Sequence, residues 1–324
     1  MRLFLYEHVT GGGMLDESPS PALVHEADLM VRSVLRDLAD LPVEVLTSRD
    51  PRLPPLDGVH ALEPRPGESP LALYRRGLTA VDAAWPTAPE TGGVLAALAA
   101  ATRGAGRTLV GSSPEAIGIA ASKSATAARL AAAGLATIAT FGAGSALPEL
   151  PGPWVLKPDD GAGATDTLQV PDWRAARECL AHHPGRWVAQ PWLAGEPLSL
   201  SLVALPDGVD LLAVNRQRVA VHQGAVRLQA LVVNALPDRD GAFRRLGARV
   251  VAAIPGLAGP VGVDLIATPD GPAVVEVNPR LTTSCGALRE AVGVNLAARV
   301  LGLHASRAVV DRAVTLDLEV AHAR

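Results

Sequence analysis

The sequence predicts a mixed fold, α/β at its start and α+β further on, in two or three lobes. Three observations carry this. Arg2–Val9 reads as a strand that runs into Thr10-Gly11-Gly12-Gly13 and then a helix, the way an α/β lobe opens. A run of strands follows in mid-chain, at Leu198–Leu205, Val209–Asn215, Val219–His222 and Val226–Val232. Val261–Arg280, VGVDLIATPDGPAVVEVNPR, then reads as a hairpin, with Pro269-Asp270-Gly271 as its turn. A chain of 324 residues is long enough to bury a sizeable core in this way.

The first helix takes Ser20 as N-cap and Pro21 at its first position. Leu23, Ala27, Met30, Val31, Val34 and Leu38 then recur at helical spacing. Val43–Thr47 is the second strand, and the Pro-rich residues 50–70 form a loop or crossover. Leu71–Val81 and Gly93–Arg103 are helical by pattern, with Thr87–Thr91 between them as a loop that could reach a site. Thr108–Gly111 is a short strand that closes a first lobe of residues 1–112. The glycine triplet either brings backbone N–H groups close to a substrate or makes a tight turn, and it lacks the spacing of a dinucleotide fingerprint.

A second lobe is expected over 113–190. Ser112-Ser113-Pro114-Glu115 opens a helix in capping-box style. Ser122 caps the next helix, with Lys123 in its first turn and Gly134 at its end. A lysine at a helix N-terminus sits on the wrong end of the dipole, so Lys123 is expected to point off the helix towards an anion. Trp154–Pro158 is a strand that carries Lys157. The small-residue loop Asp159–Thr165 and the strand Thr167–Val170 follow it. Such a loop beside a lysine can close over phosphates with its backbone N–H groups, or be an ordinary flexible hairpin. It is not a P-loop, because no Gly-Lys-Ser/Thr opens a helix there. Pro171–Ala181 reads as a helix and Trp187–Gln190 as a strand.

A third lobe is expected over 191–324. Its entry, Pro191–Glu196, is a linker that can offer backbone groups to an adenine edge, with Glu196 accepting from ribose hydroxyls or serving as a solvated turn acid. Arg216 and Arg218 alternate with Gln217 and either hold an anion or face solvent. Asp240–Ile254 is a helix, and Thr282-Thr283-Ser284-Cys285-Gly286 leads into another that runs to about Leu301. The N-terminus of that last helix would suit a carboxylate or phosphate.

Composition narrows the function. A formal net charge of −4 gives no general basic surface for nucleic acid. Two distant cysteines, Cys179 and Cys285, give neither a disulfide framework nor a metal pattern. The N-terminal apolar run is broken by Glu7 and His8, so it is not a signal peptide. No segment reaches about 18 uninterrupted apolar residues, and a soluble cytoplasmic protein without membrane contact is expected. The 29 basic residues are 27 Arg and only Lys123 and Lys157. Lysine kept where arginine is the default suggests a compact charge on a flexible stem, as at a nucleotide phosphate.

Folding the last hairpin at Asp270 sets Asp264 opposite Glu276, six residues away on either side. Directly paired residues have Cβ atoms roughly 4.5–5.5 Å apart, so the two carboxylates repel unless a cation sits between them. Asn278 points to the same face and adds a third oxygen. Three oxygen ligands on a rigid hairpin suit Mg²⁺, although acids also occur on ordinary solvated hairpins.

Taken in order, Lys123, Lys157-Pro158 before a glycine loop, the Gln190–Glu196 linker, then Asp264, Glu276, Asn278 and Arg280 resemble the ATP-grasp superfamily over about residues 85–305. The resemblance implies two α+β lobes that clasp ATP, preceded by a Rossmann-like α/β lobe that binds substrate. It implies phosphate lysines at Lys123 and Lys157 and a phosphate-covering loop at Asp160–Thr165, including Asp160, Gly161 and Gly163. Ala162 stands where many members have glycine. It implies adenine contacts at Gln190, Trp192 and Leu193, ribose contacts at Glu196, and Mg²⁺ (with Mn²⁺ as a substitute) on Asp264, Glu276 and Asn278. Arg280 would face the reacting phosphate or acyl group. The implied reaction is ATP-dependent joining of a small carboxylate to an amine through an acylphosphate, with a homodimer as a frequent assembly. Leu5–Gly13 (LYEHVTGGG) and Ala213–Gln217 (AVNRQ) are also similar to the tyramine–glutamate ligase group of methanofuran biosynthesis. Another amino-acid or dipeptide ligase on the same scaffold is the nearest alternative. A non-catalytic nucleotide-binding regulator is the alternative of a different class.

Overall fold

The structure is a computed structural model and describes residues 1–161, 166–183, 187–305 and 309–318. The first 110 residues form β1 (Arg2–Glu7), α1 (Pro21–Leu38), β2 (Glu44–Ser48), β3 (His60–Leu62), α2 (Pro70–Leu78), β4 (Ala83–Thr87), α3 (Val94–Gly104) and β5 (Thr108–Leu109). The five strands make one parallel sheet in the order β3-β2-β1-β4-β5. The order reverses between β1 and β4, and their carboxyl ends therefore open the crevice where doubly wound sheets take ligands. Helix α1 starts as expected, with Ser20 Oγ accepting from Leu23 N and Pro21 at the first position.

Two strands of this sheet were not expected from the sequence. Strand β3 lies within the Pro-rich stretch. Strand β4 is AAWPT, whose proline argues against a central strand. The structure accommodates Pro86 because β5 pairs only with Ala83 and Ala84, so no ladder partner needs the missing N–H on that side. Strand β1 is buried on both faces. Leu3 and Leu5 pack towards α1, while Phe4 and Tyr6 pack under α2 and α3. Gly77 of α2 lies against Phe4, where an added Cβ would stand 2.2 Å from the ring, and Phe4 is fully buried. Gly77→Ala is therefore expected to cost about 1–3 kcal/mol. A lower urea midpoint at unchanged slope checks this, and an unchanged midpoint would contradict it.

The rest of the chain comprises α4 (Pro114–Ala121), α5 (Lys123–Ala132), β6 (Phe141–Gly142), β7 (Trp154–Pro158), β8 (Leu168–Val170), α6 (Trp173–His182) and β9 (Trp187–Pro191). It continues with β10 (Glu196–Leu205), β11 (Gly208–His222), β12 (Ala225–Leu236), α7 (Ala242–Ala253), β13 (Gly259–Thr268), β14 (Gly271–Asn278), α8 (Cys285–Val292), α9 (Leu296–Leu301) and β15 (Val314–Asp317). Its strands form one ten-stranded sheet, β14-β13-β10-β11-β12-β8-β7-β9-β6, with β15 on β12. The two strands expected over 209–222 are one bent strand, because a bulge near Arg216 turns the chain without ending it. The helix expected to run to Leu301 breaks in two at Gly293, which takes φ +66°, and Asn295 caps the second piece.

Alternation along β10 sets up the site. Leu198, Leu200 and Leu202 face the core built with α4, α5 and α7, whereas Ser199 and Ser201 face the opposite side. On that opposite side Val203 meets α8 and α9, which are sandwiched against α1 of the first sheet. The short β8 joins the tip of the β11–β12 hairpin. Gln169 N donates to Gly224 C=O at 2.7 Å and Val226 N to Thr167 C=O at 2.9 Å. Among the described residues no helix is long and apolar enough to cross a membrane.

Candidate active site

The floor of the site is the polar face of the large sheet. Asp264 pairs with Glu276 across β13–β14, Ser199 lies beside Asp264 on β10, and Gly262 faces Asn278. Asn278 Nδ2 donates to Asp264 Oδ2 at 3.1 Å, and Gln217 Nε2 donates to Asp264 Oδ1 at 2.9 Å. Burial, and then the charge of Glu276, push the Asp264 carboxyl up to about 7 despite those donors and Lys157. Two carboxylates that cannot comfortably both ionise mark a place short of positive charge. Among the described residues no three His, Cys, Asp or Glu side chains gather to form a complete cage. The donor set, two carboxylates and the Asn278 carbonyl, is hard, all-oxygen and incomplete. That fits Mg²⁺, which keeps waters and substrate phosphates among its ligands.

Both lysines reach this floor. Lys157, near the end of β7, is 6% exposed, and its ammonium makes no ion pair within 4 Å among the described residues. Burial lowers its pKa, Glu276 opposes the shift and Lys123 adds to it. Lys123 is the first residue of α5, and its side chain leaves the helix, as the dipole argument requires. Its Nζ meets the carbonyls of Asp159 (3.5 Å) and Gly161, and lies 3.8 Å from Glu276 Oε2. Asp159 explains this placement. Its carboxylate accepts from Ser122 Oγ (2.7 Å), Ser124 N (2.8 Å) and Ser124 Oγ (3.1 Å), which pins the turn after β7 onto the start of α5. Asp160 Oδ2 accepts from Gly92 N at 3.3 Å. Gly163, with Ala162, Ala164 and Thr165, lies outside the described residues.

Arg280 follows β14 and is 13% exposed at its side chain. It meets Glu90, which is 5% exposed, on the loop after β4. Nε lies 2.9 Å from Glu90 Oε1, Nη2 donates to Oε2 at 3.0 Å, and Nη1 donates to Leu281 C=O at 3.0 Å. Burial works against the guanidinium charge, yet Glu90, then Glu276 and Glu7, hold its pKa above the ordinary value. Glu7 is raised by burial, and its oxygens accept from Val9 N, Thr10 N and Thr10 Oγ1. It thereby braces the loop before Gly11–Gly13. Gly11 leaves no room for a Cβ, which would lie 2.3 Å from Glu7 C=O. Glu26 on α1, also raised by burial, accepts from Thr283 Oγ1 at 2.9 Å. At the start of α8, Ser284 Oγ is tied to Ser201 Oγ at 2.8 Å and to Thr282 Oγ1 at 3.0 Å.

The hydrogen bonds given for the linker residues do not go to this cluster. Gln190 is buried on β9 and donates from Nε2 to Thr140 Oγ1 at 2.8 Å. Trp192 N donates to Pro153 C=O at 2.9 Å, the residue is 37% exposed, and Leu193 is half-buried. Glu196 is exposed and accepts from Arg216 Nε. Arg216 pairs with Leu198, so it lies on the face opposite Asp264, and Arg218 is exposed as well. Of the alternating trio, Gln217 is the residue that turns to the site. Glu90, Asp159 and Gln217 were not picked out as site residues from the sequence. The local hints were the Thr87–Thr91 loop, expected to be able to reach a site, and the Asp159-Asp160 doublet after Lys157-Pro158.

The ATP-grasp domain family matches residues 120–284, just over half of the chain, and the pre ATP-grasp 3 domain matches 43–117. Over 103 residues the chain is 33% identical to tyramine–L-glutamate ligase of Methanocaldococcus jannaschii, covering 32% of this chain and 32% of that protein. The match thus spans about a third of the length of that curated relative. An ATP-grasp superfamily protein from Archaeoglobus fulgidus superposes with a TM-score of 0.76 at 23% identity, covering 97% of this chain and 91% of that one. L-amino acid ligase from Bacillus licheniformis superposes at 0.65 with 18% identity over 93% and 73%. D-alanine–D-alanine ligase from Bacillus anthracis, solved with ATP, superposes at 0.57 with 17% identity over 86% of each chain. The chain belongs to the ATP-grasp family, and its fold is the ATP-grasp fold behind a pre-ATP-grasp domain.

Proposed function

We propose that this protein is an ATP-dependent carboxylate–amine ligase. A substrate carboxylate oxygen attacks the γ-phosphorus of ATP and ADP leaves. An amine then attacks the acyl carbon of the acylphosphate, and phosphate leaves with the amide formed. Lys157 and Lys123 hold the phosphates, and Arg280 faces the transferring group. Asp264, Glu276 and Asn278 would hold Mg²⁺, which when bound neutralises phosphate charge. Asp160 and Gly161 begin the loop that keeps water from the acylphosphate. Trp192 N–H is occupied by Pro153, so the adenine edge is read by the other backbone groups of the Gln190–Leu193 linker, and ribose by Glu196. The working division into lobes is 1–112 for substrate, with 113–190 and 191–324 clasping ATP. The observation that carries the reading is the convergence of the chain's only two lysines on one carboxylate pair, with Lys123 Nζ 3.8 Å from Glu276.

The narrower reading is a tyramine–L-glutamate ligase-like activity in methanofuran-type biosynthesis, supported by the partial identity to that enzyme. The test is ADP release from Mg-ATP with L-glutamate and tyramine, against a panel of amino acids and amines, with mass spectrometry of the products. A glutamyl–tyramine amide is the expected product. ADP with another pair keeps the ligase and discards the narrower reading, and ATP binding without ADP from any pair overturns both.

A further inference from the structure

We infer that Glu90 is the positioning residue for Arg280: a carboxylate from the first lobe that aims the guanidinium at the reacting group and holds it off the metal-ligand carboxylates. The inference rests on the reading of Arg280 given above. Glu90 lies on the loop after β4, at the point where the order of the parallel sheet reverses. Arg280 lies 190 residues away, after the last strand of the other sheet. The pair is a polar contact between the segments that follow the two sheets, beside those of Gly92 with Asp160 and Glu26 with Thr283.

A guanidinium carries five N–H groups in a fixed plane. Glu90 Oε2 takes one N–H of Nη2, Nε lies 2.9 Å from Oε1 without the alignment of a hydrogen bond, and Leu281 C=O takes one N–H of Nη1. One N–H on each terminal nitrogen is left beside that of Nε, and among the described residues none of these donates a hydrogen bond. Two such N–H groups suit a pair of oxygens on a carboxylate or phosphoryl group. The alternatives open to Arg280 are unhelpful ones, because Glu276 and Glu7 also attract it. An arginine that settled on Glu276 would take a metal ligand out of use.

The loop itself is built to hold this position. Gly92 and Gly93 take φ +66° and +72°, a left-handed pair that side chains would strain. Gly92 N also donates to Asp160 Oδ2, so the same short turn touches the phosphate loop. Seating the first lobe is thereby tied to the aim of Arg280 and to the base of that loop.

The test is a double-mutant cycle on the full-length protein, with Glu90→Ala, Arg280→Ala and the double variant, and with Glu90→Asp as the conservative control. ADP formation from Mg-ATP is measured with the best acid–amine pair of the panel, alongside ATP affinity by calorimetry and thermal denaturation. Glu90→Ala is expected to lower kcat about 10–100-fold with ATP affinity within about twofold of wild type. Glu90→Asp should recover part of the loss, and the double variant should be no slower than Arg280→Ala alone. Independent, multiplying losses in the cycle, or a wild-type kcat in Glu90→Ala, overturn the inference while leaving the ligase reading intact. A normal rate in Arg280→Ala overturns the role of Arg280 and the inference with it. Loss of kcat only in parallel with the melting temperature across the Glu90 variants reduces Glu90 to a structural brace and also overturns it.

Discussion

Lys157→Met is expected to melt later than wild type without nucleotide and to lose ADP formation by about 10²–10³-fold. The two effects share a cause. Lys157 is 6% exposed and has no ion pair within 4 Å among the described residues, so its burial is offset only by the more distant charges of Glu276, Asp264 and Asp159. Burial lowers the ammonium pKa in the folded state. A depressed folded pKa means that the folded state is penalised at every pH below the ordinary lysine value, neutrality included. Methionine keeps an unbranched apolar stem of similar reach and removes the charge. The gain should be on the order of 1 kcal/mol, the usual yield of relieving such a site. Adding Mg-ATP should reverse the ranking, because wild type gains the phosphate contact and the variant does not. Melting curves with and without Mg-ATP, together with ADP assays, check this. A normal ADP rate in the variant would remove Lys157 from phosphate binding and with it the main support for the ligase reading.

What could be read from the sequence was local, and what could not depended on distant partners. The caps at Ser20 and Ser122 and the exit of Lys123 from its helix follow from spacing and dipole alone. The pairing of Asp264 with Glu276 is a more instructive case. Counting from Asp270 pairs them, but the turn in fact sets Thr268 against Gly271. An uninterrupted ladder from that turn would set Asp264 against Val275. The irregularity between Asp264 and Leu265 skips Val275 and brings Glu276 opposite after all. Without that bulge Glu276 would turn its carboxylate to the leucine-lined face. Strand β4 was hidden by its proline, whose tolerance depends on where a neighbouring strand ends. Glu90, Gln217 and Asp159 were hidden because their contacts span 190, 47 and 35 residues. No local pattern marks a side chain whose role is set by a partner on another sheet or helix.

The bulge leads to the second large expectation. Asp264→Asn should leave metal-free stability unchanged near pH 4, raise it progressively towards pH 8, and abolish the stabilisation by Mg²⁺. The Asp264 carboxyl is raised from 3.8 to about 7 by burial and by facing Glu276. A raised carboxyl favours the folded state while protonated. That stability is fully present below about pH 4 and is lost as pH rises through about 7. The introduced amide does not titrate, so the gap between variant and wild type opens over that window. It reaches on the order of 2–4 kcal/mol by pH 8. The hydrogen bonds need not be lost, because rotating the Asn278 amide exchanges its donor for an acceptor beside the new NH₂. Magnesium reverses the balance in wild type. It must displace the proton shared by the pair, so the melting increment it gives should be larger at pH 8 than at pH 6. Melting temperatures at pH 5, 6, 7 and 8, in chelator and in Mg-ADP, check both halves. Parallel curves for the two proteins in chelator would mean that Asp264 and Glu276 do not share their charge. An equal Mg²⁺ increment in the variant would move the metal away from the hairpin.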